Sequence, residues 1–453
     1  MKWLCLCLFV LLACGGLAAD GRGEDPPRLR VATFSCDVTP PVGGQPLIWT
    51  TPVETVEDPL LAKGIVLDDG QARYVLCAVD WCGLCNSSHR LFRAKLAAAV
   101  GTDLARVAVH CVHQHTAPYV DGDAQQLLDQ TSKPIRYVDL KALEGFADRV
   151  GAAAKQSLDR FQPVDRIGTG QAKVDRVASS RRIITPDGKI HVRYSSAGKD
   201  PAMRALPEGF IDPYLKTITL AQGDKPLVRI HYYATHPQSF YGDKRASSDT
   251  AGHARERLQQ KENVFQIYFD GCGGDITMGK YNDGSRPARD ELTARLLAGM
   301  EASVASTRYA PLGRLQWRSV PVVLPLPADV EKVLSQSKAT LENPKLTDIA
   351  RVTAATRVTF ARRIDEPMDA TVLAIGPVRI LHLPGESMVE FQRFAQSLRP
   401  KDFVAVAAYG DLGPGYICTE AAFKEGGYEP TASHVAPQSE KVMKEAIRGL
   451  LIP

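Results

Sequence analysis

His113 and His115 are the first residues in this chain whose types and spacing could do chemistry. They stand in His110-Cys111-Val112-His113-Gln114-His115-Thr116-Ala117-Pro118, just past the apolar run Arg106-Val107-Ala108-Val109, which reads as a short buried strand. Side chains two apart on a strand share a face, so Val107, Val109, Cys111, His113 and His115 are predicted to line up, apolar first and imidazole last. Such a pair suits a metal site, or a metal ligand beside a general base. It also suits one buried, hydrogen-bonded histidine and one surface histidine. Two further strand ends weigh on the choice. The run Leu227 to Ala234 ends on His236, and the run Val378 to Leu383 ends on Glu386. Alone, His236 could be a core histidine and Glu386 a helix N-terminal carboxylate. Together, two His and one Glu from three strand ends are a zinc-type ligand set with a coordination position left for water. Asp80 and Asp275, also at strand ends, read either as groups that orient ligands or as satisfied strand-end carboxylates.

The elements that must position these residues form an alternating series. Apolar strands around Leu76, Val109, Ile230, Ile267, Ile380 and Val406 each run into a loop with a polar or ionisable residue, mostly beside Gly or Pro. Helices are predicted over Ser87 to Val100, Val138 to Phe161, Ser247 to Lys261, Arg289 to Ala305, Ala328 to Glu342 and Gln438 to Leu451. Hairpins are predicted around Asp69-Gly70 and Gly223-Asp224, and Val358 to Arg362 reads as a strand. The pattern predicts an α/β fold, a mixed central β-sheet flanked by helices, with the metal site at the strand ends. The 453 residues would suit three domains of ~150, but no linker and no internal repeat divides them, so one domain over 29–453 is expected.

Net charge is +4 with 23% charged residues of both signs interspersed, which excludes a nucleic-acid footprint. Lys2, the apolar run Trp3 to Leu12 and small residues through Ala19 read as a secretory signal peptide over 1–19, and 20–28 as a linker. Export is therefore expected. Leu11-Leu12-Ala13-Cys14-Gly15 resembles a lipoprotein box, which would anchor the protein peripherally to a membrane through a lipidated Cys14; cleavage near Ala18 or Ala19 is the rival. Seven cysteines follow. Cys82-Gly83-Leu84-Cys85 lacks the second pair of a structural zinc site, so a disulfide among Cys77, Cys82 and Cys85, or no bridge, is expected there. His89, His191, His253 and His434 read as surface residues in polar surroundings, and His231 and His382 as core.

The motifs, in order, resemble the neutral (alkaline, non-lysosomal) ceramidases. Val112-His113-Gln114-His115-Thr116-Ala117-Pro118 is similar to the family's Thr-His-Thr-His-Ser-Gly-Pro, and Ala234-Thr235-His236 to its Ala-Val-His. Ser247-Ser248-Asp249 with Gly252, Gly274-Asp275-Ile276-Thr277, Pro384-Gly385-Glu386, Gly415-Tyr416 and Gly427-Tyr428-Glu429 match later motifs. The resemblance runs from about Val31 to about Pro437 and covers the N-terminal catalytic domain, without the family's C-terminal immunoglobulin-like domain. It implies a zinc ion (Zn2+) held by His113, His236, Glu386 and Tyr416. His115 would be the general acid or base, Arg181 would contact the scissile group, and Tyr428 would donate to the oxyanion. The family's Asn before this arginine is Ser180 here. The resemblance implies an amide hydrolase acting on N-acyl sphingosine or a related small-molecule or lipid amide. The alternatives are a zinc hydrolase for another amide or ester, and a non-catalytic metal-binding surface protein.

Overall fold

Three apolar hairpins frame the chain. In the computed structural model, which describes residue 1 and residues 29–452, they pair Leu61–Asp68 with Arg73–Val79, Tyr214–Gln222 with Lys225–Tyr233, and Met368–Ile375 with Val378–His382. Each turns through a glycine of positive φ (Gly70, Gly223, Gly376), a conformation that a side chain would strain. Apart from Met1, the expected signal peptide, the linker and Cys14 lie outside the described residues.

Each hairpin belongs to a larger unit of constant order. A first strand (Arg30–Asp37, Arg166–Lys173, Leu315–Val322) lies antiparallel beside the hairpin. After the hairpin, a helix (Asn86–Val100, Asp249–Glu262, Val389–Leu398) leads to a short strand (Val107–Cys111, Phe265–Asp270, Phe403–Ala407) parallel to the hairpin's second strand. A closing helix (Leu140–Ser157, Arg286–Ala305, Ser439–Leu451) packs on the crossover helix. One unit is thus repeated three times, over 30–157, 166–305 and 315–451. The expectation of no internal repeat is corrected: what recurs is element order and strand pairing, and no matching run of residues announces it.

The α/β class with mixed sheets and flanking helices is borne out; among the described residues the strands form two sheets of five, one of four and five two-stranded ribbons. Apolar faces of the three units share one core, with Ile65 and Leu76 packed among Ile230, Ile267, Leu373 and Ile380. The units also join at the C-terminal ends of their parallel strands. Ala408 N donates to Asp270 O at 2.9 Å, and Cys111 N to Tyr409 O at 2.9 Å. The candidate site residues stand beyond this junction or between the first two strands of a unit, in loops except for Glu386 and Tyr416, which pair on the two-residue parallel strands Glu386–Ser387 and Tyr416–Ile417.

Two local expectations change, and one open alternative is decided. Val358 to Arg362 is the end of a helix, Asp348–Arg362, capped by Thr347, whose hydroxyl accepts from Ala350 N. The apolar window was too short to separate the two periods; extended back to Val352 and Ala355, it is helical. The helix expected from Val138 to Phe161 spans Leu140–Ser157. Among the described residues, Cys36, Cys77, Cys82, Cys85, Cys111, Cys272 and Cys418 form no bridge, and all but Cys36 are buried, so the no-bridge alternative is the one found. Among the described residues, no helix is long and apolar enough to cross a membrane.

Candidate functional site

The strand carrying the first histidine stops at Cys111, two residues short of His113. His113 then takes φ 69°, with its N–H donating to Trp81 O at 2.9 Å. The meeting of His113 with His115 therefore comes from a left-handed turn and not from strand alternation, a strained backbone of the kind found at functional sites. Tyr409, also left-handed at φ 61°, stacks its ring on His113 with centroids 4.3 Å apart. His236 follows the second unit's hairpin and Glu386 the third's, so the three residues come from three units.

Their ligand-type atoms converge. His113 Nε2 lies 3.2 Å from His236 Nε2, and Glu386 Oε2 is 3.3 Å from each. His113 Nδ1 is 2.6 Å from Cys82 O, and His236 Nδ1 is 2.7 Å from Gly273 O. A carbonyl only accepts, so it fixes the proton on Nδ1 and leaves the Nε2 lone pair facing its neighbours. Glu386 Oε2 is buried without a hydrogen-bond partner. Three lone-pair donors at 3.2–3.3 Å repel one another unless a cation lies among them, so the residues fit a metal ion. Burial, with help from the Arg181 charge, pushes His236 down to about 3. His236 is therefore neutral, as metal binding requires.

The other expected residues are placed around this point. Tyr416 Oη is 3.4 Å from His236 Nε2 and accepts from Arg181 Nη1 at 2.9 Å, while Arg181 Nη2 is 3.0 Å from His236 Nε2. His115 Nε2 is 3.4 Å from His113 Nε2. Burial and the nearby His113 and His236 push His115 well below its ordinary value, leaving it neutral. Tyr428 stands edge-on to Tyr416, with ring centroids 5.7 Å apart, and burial pushes it up to about 12. All border one cavity of about 770 Å³. Its walls include Ile48 and Trp49, Tyr194 and Lys199, and Thr353 and Thr356, which lie between the first and second strands of the three units respectively.

Sequence reasoning left some partners out. Gln238 Nε2 is 3.0 Å from His115 Nδ1, and buried Glu429 receives Arg182 at 2.9 Å and faces Arg181 Nε at 3.7 Å. Cys82 Sγ lies 3.9 Å from His113 Nδ1. Gln238, two residues past His236, was the most accessible of these from the motif. Asp80 proves to be a satisfied carboxylate, paired with Arg255 through bonds of 2.7 and 2.8 Å. Asp275 accepts from Val389 N at 2.9 Å at the start of the helix after Glu386, and its carbonyl accepts from Arg181 N at 2.7 Å, so it helps place both residues. His89 is buried against Val109 O at 3.0 Å, and His434 is half-buried at the cavity; neither is a plain surface residue.

The fold is that of the neutral ceramidases, as the motif resemblance implied. The crystal structure of neutral ceramidase from Pseudomonas aeruginosa superposes with a TM-score of 0.70 at 16% identity, over 94% of this chain and 74% of that one. A ceramidase complexed with C2 gives 0.69 at 14% identity, over 94% and 75%. No protein-family description matches the chain, and no curated protein does.

Proposed function

We propose that this chain is a zinc-dependent hydrolase of a linear amide in an N-acyl compound, the reaction class that the name ceramidase denotes for its structural neighbours. The observation that carries the reading is the convergence of His113 Nε2, His236 Nε2 and Glu386 Oε2, with Glu386 Oε2 buried and unpartnered among the described residues. These three, with Tyr416 beside them, would hold the ion. Zinc bound there lowers the pKa of a water towards about 7 and polarises an amide carbonyl. His115, neutral beside His113, would take the proton of the attacking water on Nε2 and return it to the leaving nitrogen, with the Gln238 amide at Nδ1 turned so that its oxygen accepts the Nδ1 proton. Arg181 and Tyr428 donate to the oxygen where negative charge develops. Tyr428 can do so because it keeps its proton. A purely structural metal would need neither a neutral His115 nor a phenol at the cavity wall, which disfavours a non-catalytic metal-binding protein. Export, by lipid anchoring at Cys14 or by cleavage near Ala19, is part of the same proposal.

Metal analysis of the purified chain and of His236→Ala tests the reading. About one zinc per chain, lost in the variant together with amide hydrolysis, is the expected result. A chain that holds no metal and takes up none from added zinc would overturn it.

A further inference from the structure

Each unit brings two segments to the junction where the parallel strands end. One follows the hairpin and carries Cys82, His236 or Glu386; the other follows the short parallel strand and carries His113, Gly273 or Tyr409. In each unit one segment offers a ligand-type atom and the other holds that segment in place. Cys82 O accepts from His113 Nδ1 at 2.6 Å, and Gly273 O accepts from His236 Nδ1 at 2.7 Å. In the third unit Tyr409 N donates at 3.1 Å to the carbonyl of Gly385, the residue before Glu386.

Tyr409 differs from the other two holders because it also reaches the ligands of the other units. It stands two residues past its strand, as His113 does past its own, and both backbones are left-handed, at φ 61° and 69°. A side chain is held in that conformation only where its surroundings fix it. Its ring stacks on His113 with centroids 4.3 Å and planes 25° apart. It meets His236 edge-on, at 5.9 Å and 87°. Gly273 leaves room for this approach, since a Cβ there would stand 2.9 Å from Tyr409 Oη. The backbone is fixed too: Tyr409 O accepts from Cys111 N at 2.9 Å, and the residue is fully buried. One residue thus touches all three ligand-bearing segments.

Resting on the zinc-hydrolase reading above, we infer that Tyr409 is a positioning residue for the metal ligands, with its ring setting the planes of His113 and His236 so that both Nε2 atoms meet Glu386 Oε2. A single hydrogen bond at Nδ1 leaves an imidazole free to tilt about that bond, and an aromatic face packed on the ring stops the tilt. The hydroxyl comes no nearer than 3.4 Å to His236 Nδ1, whose proton is already held by Gly273 O, so the ring is the part that acts.

Zinc affinity, measured by competition with a chromogenic chelator, tests this in the parent, Tyr409→Phe and Tyr409→Met. Phenylalanine keeps the ring; methionine fills space without a flat face. Tyr409→Phe should bind zinc within about threefold of the parent, and Tyr409→Met about tenfold to a hundredfold more weakly. Cobalt(II) in place of zinc reports ligand geometry in its visible spectrum, which should match the parent's in Tyr409→Phe and differ in Tyr409→Met. Parent-like affinity and spectrum in Tyr409→Met would overturn the inference and leave the hydrolase standing. Weakening in Tyr409→Phe equal to that in Tyr409→Met would also overturn it, because the hydroxyl would then be the acting group. The stack can be read in the unaltered chain as well, since protons over an aromatic face move upfield in proton NMR. Should Tyr409→Met fail to fold, that spectrum decides: His113 ring signals upfield of those of His236, with and without zinc, support the inference, and unshifted signals overturn it. A parent chain that takes up no zinc overturns the hydrolase reading and this inference together.

Discussion

Among the described residues, three groups of three side chains have the composition of a metal site, and one of them, Cys82, His113 and His115, overlaps the candidate site through His113. Of the remaining two, one is His113, His236 and Glu386; the other is Glu57, Asp58 and His253. In the first, the outer nitrogens are bound to backbone carbonyls and the inner lone pairs face each other, with Glu386 Oε2 unpartnered. In the second, every carboxylate oxygen already has a donor. Glu57 accepts from Arg286 at 2.8 Å and from Arg245 and Arg289 at 3.0 Å. Asp58 accepts from Ser248 N at 2.8 Å, Ser247 Oγ at 2.7 Å and His253 Nε2 at 2.8 Å. The difference teaches that ligand-type residues do not make a metal site; unmet lone pairs do. The second group is a clasp. It holds Ser247 and Ser248 at the start of the helix after His236 and, through Arg245, one wall of the cavity.

The largest effect should separate the two groups directly. Glu386→Gln removes one anionic ligand, and zinc should fall from about one per chain to nearly none, with hydrolysis at background. Asp58→Asn should keep its zinc, and equal loss in both variants would break the comparison. Within the first group, His115→Ala should lower kcat by about a hundredfold to ten-thousandfold with zinc content unchanged. Unchanged turnover would remove His115 from the proton path. Tyr428→Phe should cost about a hundredfold in kcat while stability holds, since the residue is 36% exposed. A change in KM alone would make Tyr428 a binding residue.

The candidate ligand set was legible because its members stand at the ends of apolar runs and mark themselves by residue type. His113, His115, His236 and Glu386 needed only the strand pattern, whereas the places of Arg181 and Tyr428 and the ligand role of Tyr416 came from the motif resemblance. Tyr409 and Gln238 were not legible, since their contacts with the site histidines are set by how one unit closes on another. Asp80 looked like a site carboxylate because its partner, Arg255, lies 175 residues away on another unit's crossover helix. The threefold repeat was hidden for the same reason. It resides in pairings such as Ala62 with Val79 and Thr371 with His382, and the insertions after each first strand differ in length and sequence.

The smallest effect belongs to the clasp, and its sign follows from the charges. Burial alone would raise the Asp58 carboxyl, but hydrogen bonds from His253 and Ser248 outweigh it and hold it down at about 2, against an ordinary 3.8. Glu57 is likewise held at about 2, burial being overcome by Arg286 and Arg289. A carboxyl depressed in the folded state contributes stability that is complete above its unfolded value and is lost as pH falls through the folded one. The clasp should therefore support the fold above about pH 4.5 and release it between there and about pH 2, with Asp58 alone worth about 2 kcal/mol. Asp58→Asn should flatten denaturant-measured stability across that window without moving the zinc stoichiometry. If the slope is unchanged, the carboxylate is not the group that the acid reaches, and the clasp is held by its serine and arginine contacts instead.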